Sequence, residues 1–428
     1  MELQDELSYQ NVNFRRTFTE FILILTMFTS SFVFFRSPFE FYIHYIVFIV
    51  YLPIFFIKFK IPKNITILLL SIFLISSINI IFNNLDWFSM IKVWGGAFLS
   101  FYFYYFVYLY FNKDIVKLFS YYIKFCMFLL IFGFVQLISY KLNFKIGYDY
   151  SYSMGFNKWG LVENGGLFGI KINSLLAEPA QLAIVTIPAF FVSINNVIFK
   201  ENYFIKNKLF NYLIIFVYLS ITSSTGYIGI LICLLILAIK RKFYNIIFGL
   251  IGSFLILILL YQNISEFRIR LDAAFEISNS FENDISRKVA NTSTFTLYDN
   301  YIVTKNNFLN NPIFGSGIGS HEIAFNKYSL TKKFFDLNVY ANNSKDANSL
   351  FLRIISETGL VGLFYVFYII FSRIKILNNL NELEFIISIS LLILILLTFL
   401  RQGNYFLNGL PLIFIMFYYN QNKLVTDE

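Results

Sequence analysis

The sequence predicts an all-α membrane protein of about twelve transmembrane helices with one large extracytoplasmic loop. Three observations predict it. Hydrophobic residues make up 57% of the 428 and charged residues only 14%, and the mean hydropathy is +0.65, which leaves too little polar surface for a water-soluble domain. Apolar stretches recur at the length that crosses a hydrocarbon core, about 30 Å or roughly 20 helical residues. Lysine and arginine collect in alternate loops, as they do when cations are held on the cytoplasmic side during insertion.

In chain order, the candidate spans lie near 18–35, 38–57, 64–82, 88–111, 115–140, 173–198, 209–222, 226–239, 243–261, 348–372, 384–400 and 404–420. A polar start, Met1 to Arg16, precedes the first and holds Glu2, Asp5 and Glu6 without a small-residue cleavage site, which favours a retained span over a removable signal peptide. Segments 209–222 and 226–239 are short and parted only by Ser223-Ser224-Thr225, so they read either as two spans or as one kinked helix.

With odd spans running outward, one side gathers Arg15, Arg16, Lys58, Lys60, Lys63, Lys113, Lys117, Lys200, Lys206, Lys208, Lys240, Arg241, Lys242, Arg373 and Lys375. The short loops opposite hold only Arg36, Lys141, Lys145, Lys158, Lys171 and Arg401, a ratio of about two to one that makes both termini cytoplasmic. Eleven spans would break this agreement after residue 240, so twelve is preferred. The net charge of +9 follows largely from topology and calls for no nucleic-acid partner. The chain divides into a bundle of about nine spans at 1–261, a large loop at 262–347, and about three spans at 348–428.

Composition also narrows the chemistry. Two histidines cannot build a three-histidine or His-Glu-x-x-His zinc site. Cys126 and Cys233 both lie in apolar runs and read as small hydrophobes. Gly315-Ser316-Gly317-Ile318-Gly319 lacks the lysine of a phosphate-binding Walker loop. Neither a metal nor a nucleotide cofactor is expected.

Four features fall on one face of the membrane in this topology: Glu178-Pro179, Ser223-Ser224-Thr225-Gly226, the large loop, and Arg401-Gln402-Gly403. Glu178 precedes a proline where an apolar helix begins; it reads as a helix cap, or as a carboxylate held at the interface to accept a proton or bind a sugar hydroxyl. Arg401 sits in a short polar, glycine-containing turn, which favours a guanidinium turned inward to a phosphate over one reaching for headgroups. Arg268, Arg270, Arg287 and Lys288 open the large loop at headgroup depth, in a stretch that is amphipathic in parts; they are a solvated face or pyrophosphate ligands. His321 follows alternating glycines that bring backbone close to a ligand, and reads either as a proton acceptor or as an ordinary surface histidine. His44 reads as a bundle-interior residue. Aromatics Tyr148, Tyr150, Tyr152, Phe156 and Trp159 suit a headgroup belt or sugar stacking equally.

Several stretches then carry a resemblance: Ser174 to Ala183 (SLLAEPAQLA), Ser223 to Tyr227 (SSTGY), Asn311 to His321 (NPIFGSGIGSH), Asn348-Ser349-Leu350, Glu357 to Gly362 (ETGLVG), and Arg401 to Phe406 (RQGNYF). In this order, over about residues 170 to 406, the chain resembles the bacterial O-antigen polymerases of the Wzy type, within the larger group that includes the O-antigen ligases. Ligases carry a histidine at or just before the Asn/Ser step; this chain has Asp346-Ala347-Asn348-Ser349, which favours the polymerases. The resemblance implies a GT-C-like, metal-independent glycosyltransferase of the bacterial cytoplasmic (inner) membrane, with its large loop periplasmic. It implies a glycan donor and an acceptor that are both linked to undecaprenyl pyrophosphate, and a chain-length regulator as a possible partner. The roles that follow are Arg401 with Arg287, Arg270 or Lys288 on the pyrophosphate, Glu178 as first candidate base or acceptor orienter, and His321 as second.

Overall fold

The computed structural model describes residues 16–35, 40–83, 86–154, 162–163, 166–239, 292–333, 343–374 and 380–420, with scattered positions from 251 to 272. Helix α1 covers residues 16–25 and tightens into a 3-10 turn at Thr26–Phe28. A small hairpin follows, β1 (Val33–Phe35) antiparallel to β2 (Phe41–Tyr42) with Val33 opposite Tyr42 and Phe35 opposite Phe41. The spans expected at 18–35 and 38–57 therefore both lose the residues nearest their junction. Those residues are aromatic and β-branched, and Phe35 stacks on Phe41 at 4.9 Å, so pleated pairing competes well with helix there.

Four long helices come next: α2 (Ile43–Lys58), α3 (Lys63–Asn83), α4 (Trp87–Tyr110) and α5 (Ile115–Lys141). Asp86 caps α4 by accepting from the amides of Phe88 and Ser89, both at 3.0 Å, and Asp114 caps α5 through the Lys117 amide at 2.9 Å. Short helices α6 (Lys145–Tyr148) and α7 (Tyr150–Met154) and a second hairpin, β3 (Val162–Glu163) with β4 (Ile170–Lys171), lead to α8 (Pro179–Phe199). Then come α9 (Lys208–Ser220) and α10 (Ser224–Ile239); the large loop contributes α11 (Thr292–Asn310) and α12 (His321–Tyr328). The last three helices are α13 (Leu350–Ile374), α14 (Glu382–Arg401) and α15 (Leu410–Tyr419).

The protein is thus predominantly helical. Among the described residues five helices, α3, α5, α8, α13 and α14, are long and apolar enough to cross a membrane, and four apolar helices are shorter, so the expected twelve are reached only in part. The expected span at 243–261 lies largely outside the described residues. On α3, Ile67, Leu70, Leu74, Ile78 and Ile81 form an exposed apolar stripe at helical spacing, which water would penalise and acyl chains would not.

Helix α8 is the hub. It packs on α5, α9, α10 and α14 and buries Phe190 and Phe191 completely, each worth about 3 to 5 kcal/mol against alanine. Helices α9 and α10 are two legs, not one kinked helix. The start of α9 is tied to the far end of α8, Asn196 donating to Asn211 at 3.3 Å, whereas its end reaches Ala183, whose carbonyl accepts from Tyr218 at 3.1 Å. From there α10 turns back: Gly226 lies against Ala183 and Gly229 against Ile187.

Helices α8 and α14 run antiparallel. Tyr203, just past α8, donates to Glu382 at the start of α14 (3.0 Å), while Ile184 and Val185 meet Thr398 and Gln402 at the other end of the pair. The same logic sorts the whole bundle. One end holds the start of α1 and the ends of α2, α4, α13 and α15, with Arg16, Lys58, Lys117 and Arg373 among them: Lys117 pairs with buried Glu20, and Arg373 lies 3.8 Å over the Tyr418 ring. The opposite end holds the start of α13, the end of α14 and the described part of the large loop. Of the lysines and arginines that the sequence assigns to one face, Arg16, Lys58, Lys117 and Arg373 gather at the first of these ends, and Arg15, Lys240, Arg241, Lys242 and Lys375 lie outside the described residues.

Candidate functional site

The most constrained part of the loop-bearing end is built on one irregularity. Helix α13 is broken at Gly359, whose φ of 60° and ψ of −151° no L side chain adopts comfortably. The amides of Leu360 and Val361 turn out of the helix to the carbonyls of Pro312 (2.9 Å) and Ile313 (3.1 Å). In return, the amides of Ser316 and Gly317 donate to the carbonyls of Ser356 (3.1 Å) and Glu357 (2.8 Å). The Asn311-to-Gly319 loop thus replaces the hydrogen bonds that the break costs the helix. Close approach explains its glycines: a Cβ on Gly315 would strike the Glu357–Thr358 peptide, and one on Gly319 would lie 2.7 Å from the Ser89 carbonyl of α4.

Ser356 and Glu357 also anchor two side-chain networks. On one side, His321 is fully buried; its Nδ1 lies 3.1 Å from the Ser356 hydroxyl and its Nε2 is 2.9 Å from the Asn300 side-chain oxygen. The Asn300 amide nitrogen donates to the Thr296 carbonyl, so its oxygen faces the ring, which assigns the proton to Nε2 and leaves Nδ1 to accept from Ser356. Burial, and then the charge of Arg353, push His321 down to about 3, so it stays neutral. Asn307 donates to Ser316 and Ser356 and completes the cluster.

On the other side, Arg353 and Glu357 form a buried ion pair one turn apart on α13, Nε to Oε1 at 3.0 Å. Arg353 also donates to the Gly403 carbonyl (3.0 Å), and its guanidinium lies 4.5 Å from the centre of the Tyr405 ring. Tyr405 donates to the second Glu357 oxygen at 2.9 Å. Burial beside that carboxylate raises the Tyr405 hydroxyl well above its ordinary value, so it acts as a donor and not as an ion. The turn after Arg401 is thereby held from three directions. A Cβ on Gly403 would collide with the Asp346 carbonyl, and Ser349 donates to the Phe399 carbonyl at 2.7 Å.

The structure places the expected site residues as follows. Glu178 stands at the start of α8 in extended conformation, with Pro179 in the first turn; its carboxylate does not cap the helix, so of its two readings the capping role falls away. The side chain is exposed, and the preceding strand-to-helix segment is fixed by Gln136, which accepts from the amides of Asn173 (3.2 Å) and Ser174 (2.9 Å). Arg401 is the last residue of α14 and half-buried. Because α8 and α14 are antiparallel, Glu178 and Arg401 share one end of the bundle, along with Ser223 and the start of α13. His321 is at this end too but is no surface residue: both ring nitrogens are engaged and the ring is sealed, a geometry that holds the glycine loop and offers no lone pair to a substrate hydroxyl. Arg268 is exposed. Arg270, Arg287 and Lys288 lie outside the described residues, as do Phe156 and Trp159 of the aromatic stretch.

His44 and the thiols of Cys126 and Cys233 are buried as expected. Among the described residues no group of three or more histidine, cysteine or acidic side chains is placed to hold a metal. The residues missed from sequence are Arg353, Glu357 and Tyr405. The signal was present: two opposite charges four residues apart inside an otherwise apolar run.

No curated protein and no solved structure matches the chain. The family model Wzy_C, described as O-antigen ligase, matches residues 209–367, a little over a third of the length. The matched stretch runs from α9 through the glycine loop and His321 to about two thirds of the way along α13, so it contains the Ser356 network and the Arg353–Glu357 pair but not Gly403 or Tyr405. This match supports a membrane protein of the O-antigen polymerase and ligase group, and does not separate the one activity from the other.

Proposed function

We propose that the protein is a polymerase of lipid-linked oligosaccharides, working at the outer face of the bacterial inner membrane with both termini cytoplasmic. The growing glycan moves from undecaprenyl pyrophosphate to a sugar hydroxyl of a new lipid-linked repeat unit. The hydroxyl oxygen forms a bond to the anomeric carbon, the bond from that carbon to the pyrophosphate oxygen breaks, and the hydroxyl proton passes to a base. The observation that carries this reading is the gathering of Glu178, Arg401 and the braced turn after it at the end of the bundle that bears the large loop.

In this scheme Arg401, with Arg287, Arg270 or Lys288, offsets the charge that develops on the departing pyrophosphate, and Glu178 accepts or orients the acceptor hydroxyl. Glu178 suits that role because its side chain is exposed at the start of α8, at the loop-bearing end of the bundle. His321, the second candidate base, is better assigned to positioning the glycine loop. Neither metal nor cofactor enters the scheme.

The ligase reading, transfer of a finished polymer to a lipid A core, is favoured by the description of the matching family model. Against it stands Ala347, where the ligases' histidine precedes the Asn348-Ser349 step. A deletion strain separates the two on a polysaccharide gel. Loss of a polymerase leaves the core carrying a single repeat, whereas loss of a ligase leaves it carrying none, and the second pattern would overturn the polymerase.

A further inference from the structure

At the opposite end of the bundle, the start of α1 and the ends of α2 and α4 enclose an open cleft of about 380 Å³. Its lining is Arg16, Thr19, Lys58, Tyr110 and Asn112, each of which offers an N–H or O–H donor, and among the described residues no carboxylate lines it. The nearby acid is Glu20, which is buried; its oxygens are held by Lys117 and by Tyr121 (3.0 Å), with the Arg16 Nε at 3.4 Å. Glu20 and Lys117 cancel, so Arg16 and Lys58 leave the cleft with a positive excess. Lys58 is steadied over two rings, 5.2 Å from the centre of Tyr110 and 5.5 Å from that of Phe59.

The turn after α4 does not supply the binding groups. The chain reverses after α4 through left-handed Asn112 and Lys113, whose amides are spent on the carbonyls of Leu109 and Tyr108. An anion in the cleft therefore meets the side chains of Arg16 and Lys58 and not the amides of this turn. The two helices that carry its cations also expose Phe18, Phe21, Ile54 and Ile57, an apolar flank suited to acyl chains.

We infer that this cleft binds a phosphate-bearing anion, and that the apolar flank makes its natural ligand the headgroup of an anionic phospholipid. The site is independent of the glycosyl-transfer reading, since it lies at the other end of the bundle. Binding here would fix the register of α1, α2 and α4 in the bilayer.

The test uses the full-length protein in mild detergent, titrated with dioleoylphosphatidylglycerol and with dioleoylphosphatidylcholine and read by native mass spectrometry. Wild type should retain the anionic lipid preferentially. That preference should fall roughly fivefold for each cation removed in Lys58→Gln and in the Arg16→Gln/Lys58→Gln double variant. Lys58→Gln leaves the Arg16–Glu20 contact intact and so guards against misfolding. Lys206→Gln, at the same end but outside the cleft, should change nothing. Competition by inorganic phosphate would keep the phosphate site and remove the lipid. Equal retention of the two lipids, or an equal loss in Lys206→Gln, would overturn the inference.

Discussion

Removing the Glu357 carboxylate should do more harm than removing almost any other single side chain in α13. Glu357→Ala takes away the partner of a buried guanidinium, 3.0 Å from Arg353, and the acceptor of the Tyr405 hydroxyl at 2.9 Å. Breaking a buried ion pair from one side costs about 3 to 5 kcal/mol, because the remaining charge is stranded. Glu357→Gln keeps the shape and one acceptor oxygen, so it should cost about 1.5 to 3 kcal/mol, the range for a hydrogen bond to a charged group. The double variant Arg353→Met/Glu357→Leu removes both charges and should recover much of the stability lost in Glu357→Ala. It should not recover activity, because Gly403 has lost its donor and the turn after Arg401 is no longer braced. Apparent melting of the purified protein in detergent measures the first quantity, and the length distribution of polymer in a complemented deletion strain measures the second. A Glu357→Ala protein that melts with wild type, or a double variant that makes full-length polymer, would refute the argument that this pair positions the turn.

Gly359→Ala should be as damaging without touching any charge. It forces a side chain into φ 60° and ψ −151° with its Cβ 2.6 Å from the Gly315 amide nitrogen, at a cost of about 3 kcal/mol or more, visible as low yield of folded protein. His321 is held down to about 3 when folded and returns to about 6.5 when unfolded, so the unfolded state binds the extra proton between these values. Its contribution is complete above pH 6.5 and declines as pH falls toward 3, by up to about 1.4 kcal/mol per pH unit; His321→Gln should lack that slope in melting against pH. Arg401→Ala should abolish long polymer while leaving the melting temperature near wild type, and full-length polymer from it would remove the phosphate role. Glu178→Gln should shorten or abolish the polymer ladder, and a wild-type ladder would reject Glu178 as base.

Much of this architecture could be read from hydropathy and loop charge, and the limits have identifiable causes. Pro179 announced the start of α8 because proline fits the first helical turn and nowhere deeper. The hairpin at Val33–Tyr42 was invisible because aromatic and β-branched residues are as apolar in a strand as in a helix. The break at Gly359 was hidden for a similar reason, since Thr358-Gly359 interrupts neither the apolar run nor its length. Once that break is missed, the glycine loop looks like an exposed turn and His321 like a surface residue. Both are buried because amides and carbonyls thrown off by α13 must find partners, and those partners lie some 45 residues upstream. The shared end of Glu178 and Arg401 was legible, because topology alone places two helix termini on one side.

Order of synthesis gives the broken helix a further meaning. Pro312 and Ile313 leave the ribosome before Leu360 and Val361, so the carbonyls that complete the break are made before α13 arrives. Two bare amides in a hydrocarbon setting would cost several kcal/mol each, enough to deter the helix from settling there alone. The upstream segment thus prepares a seat for the downstream one, and a chain whose loop was misplaced would leave about its last fifth without that seat.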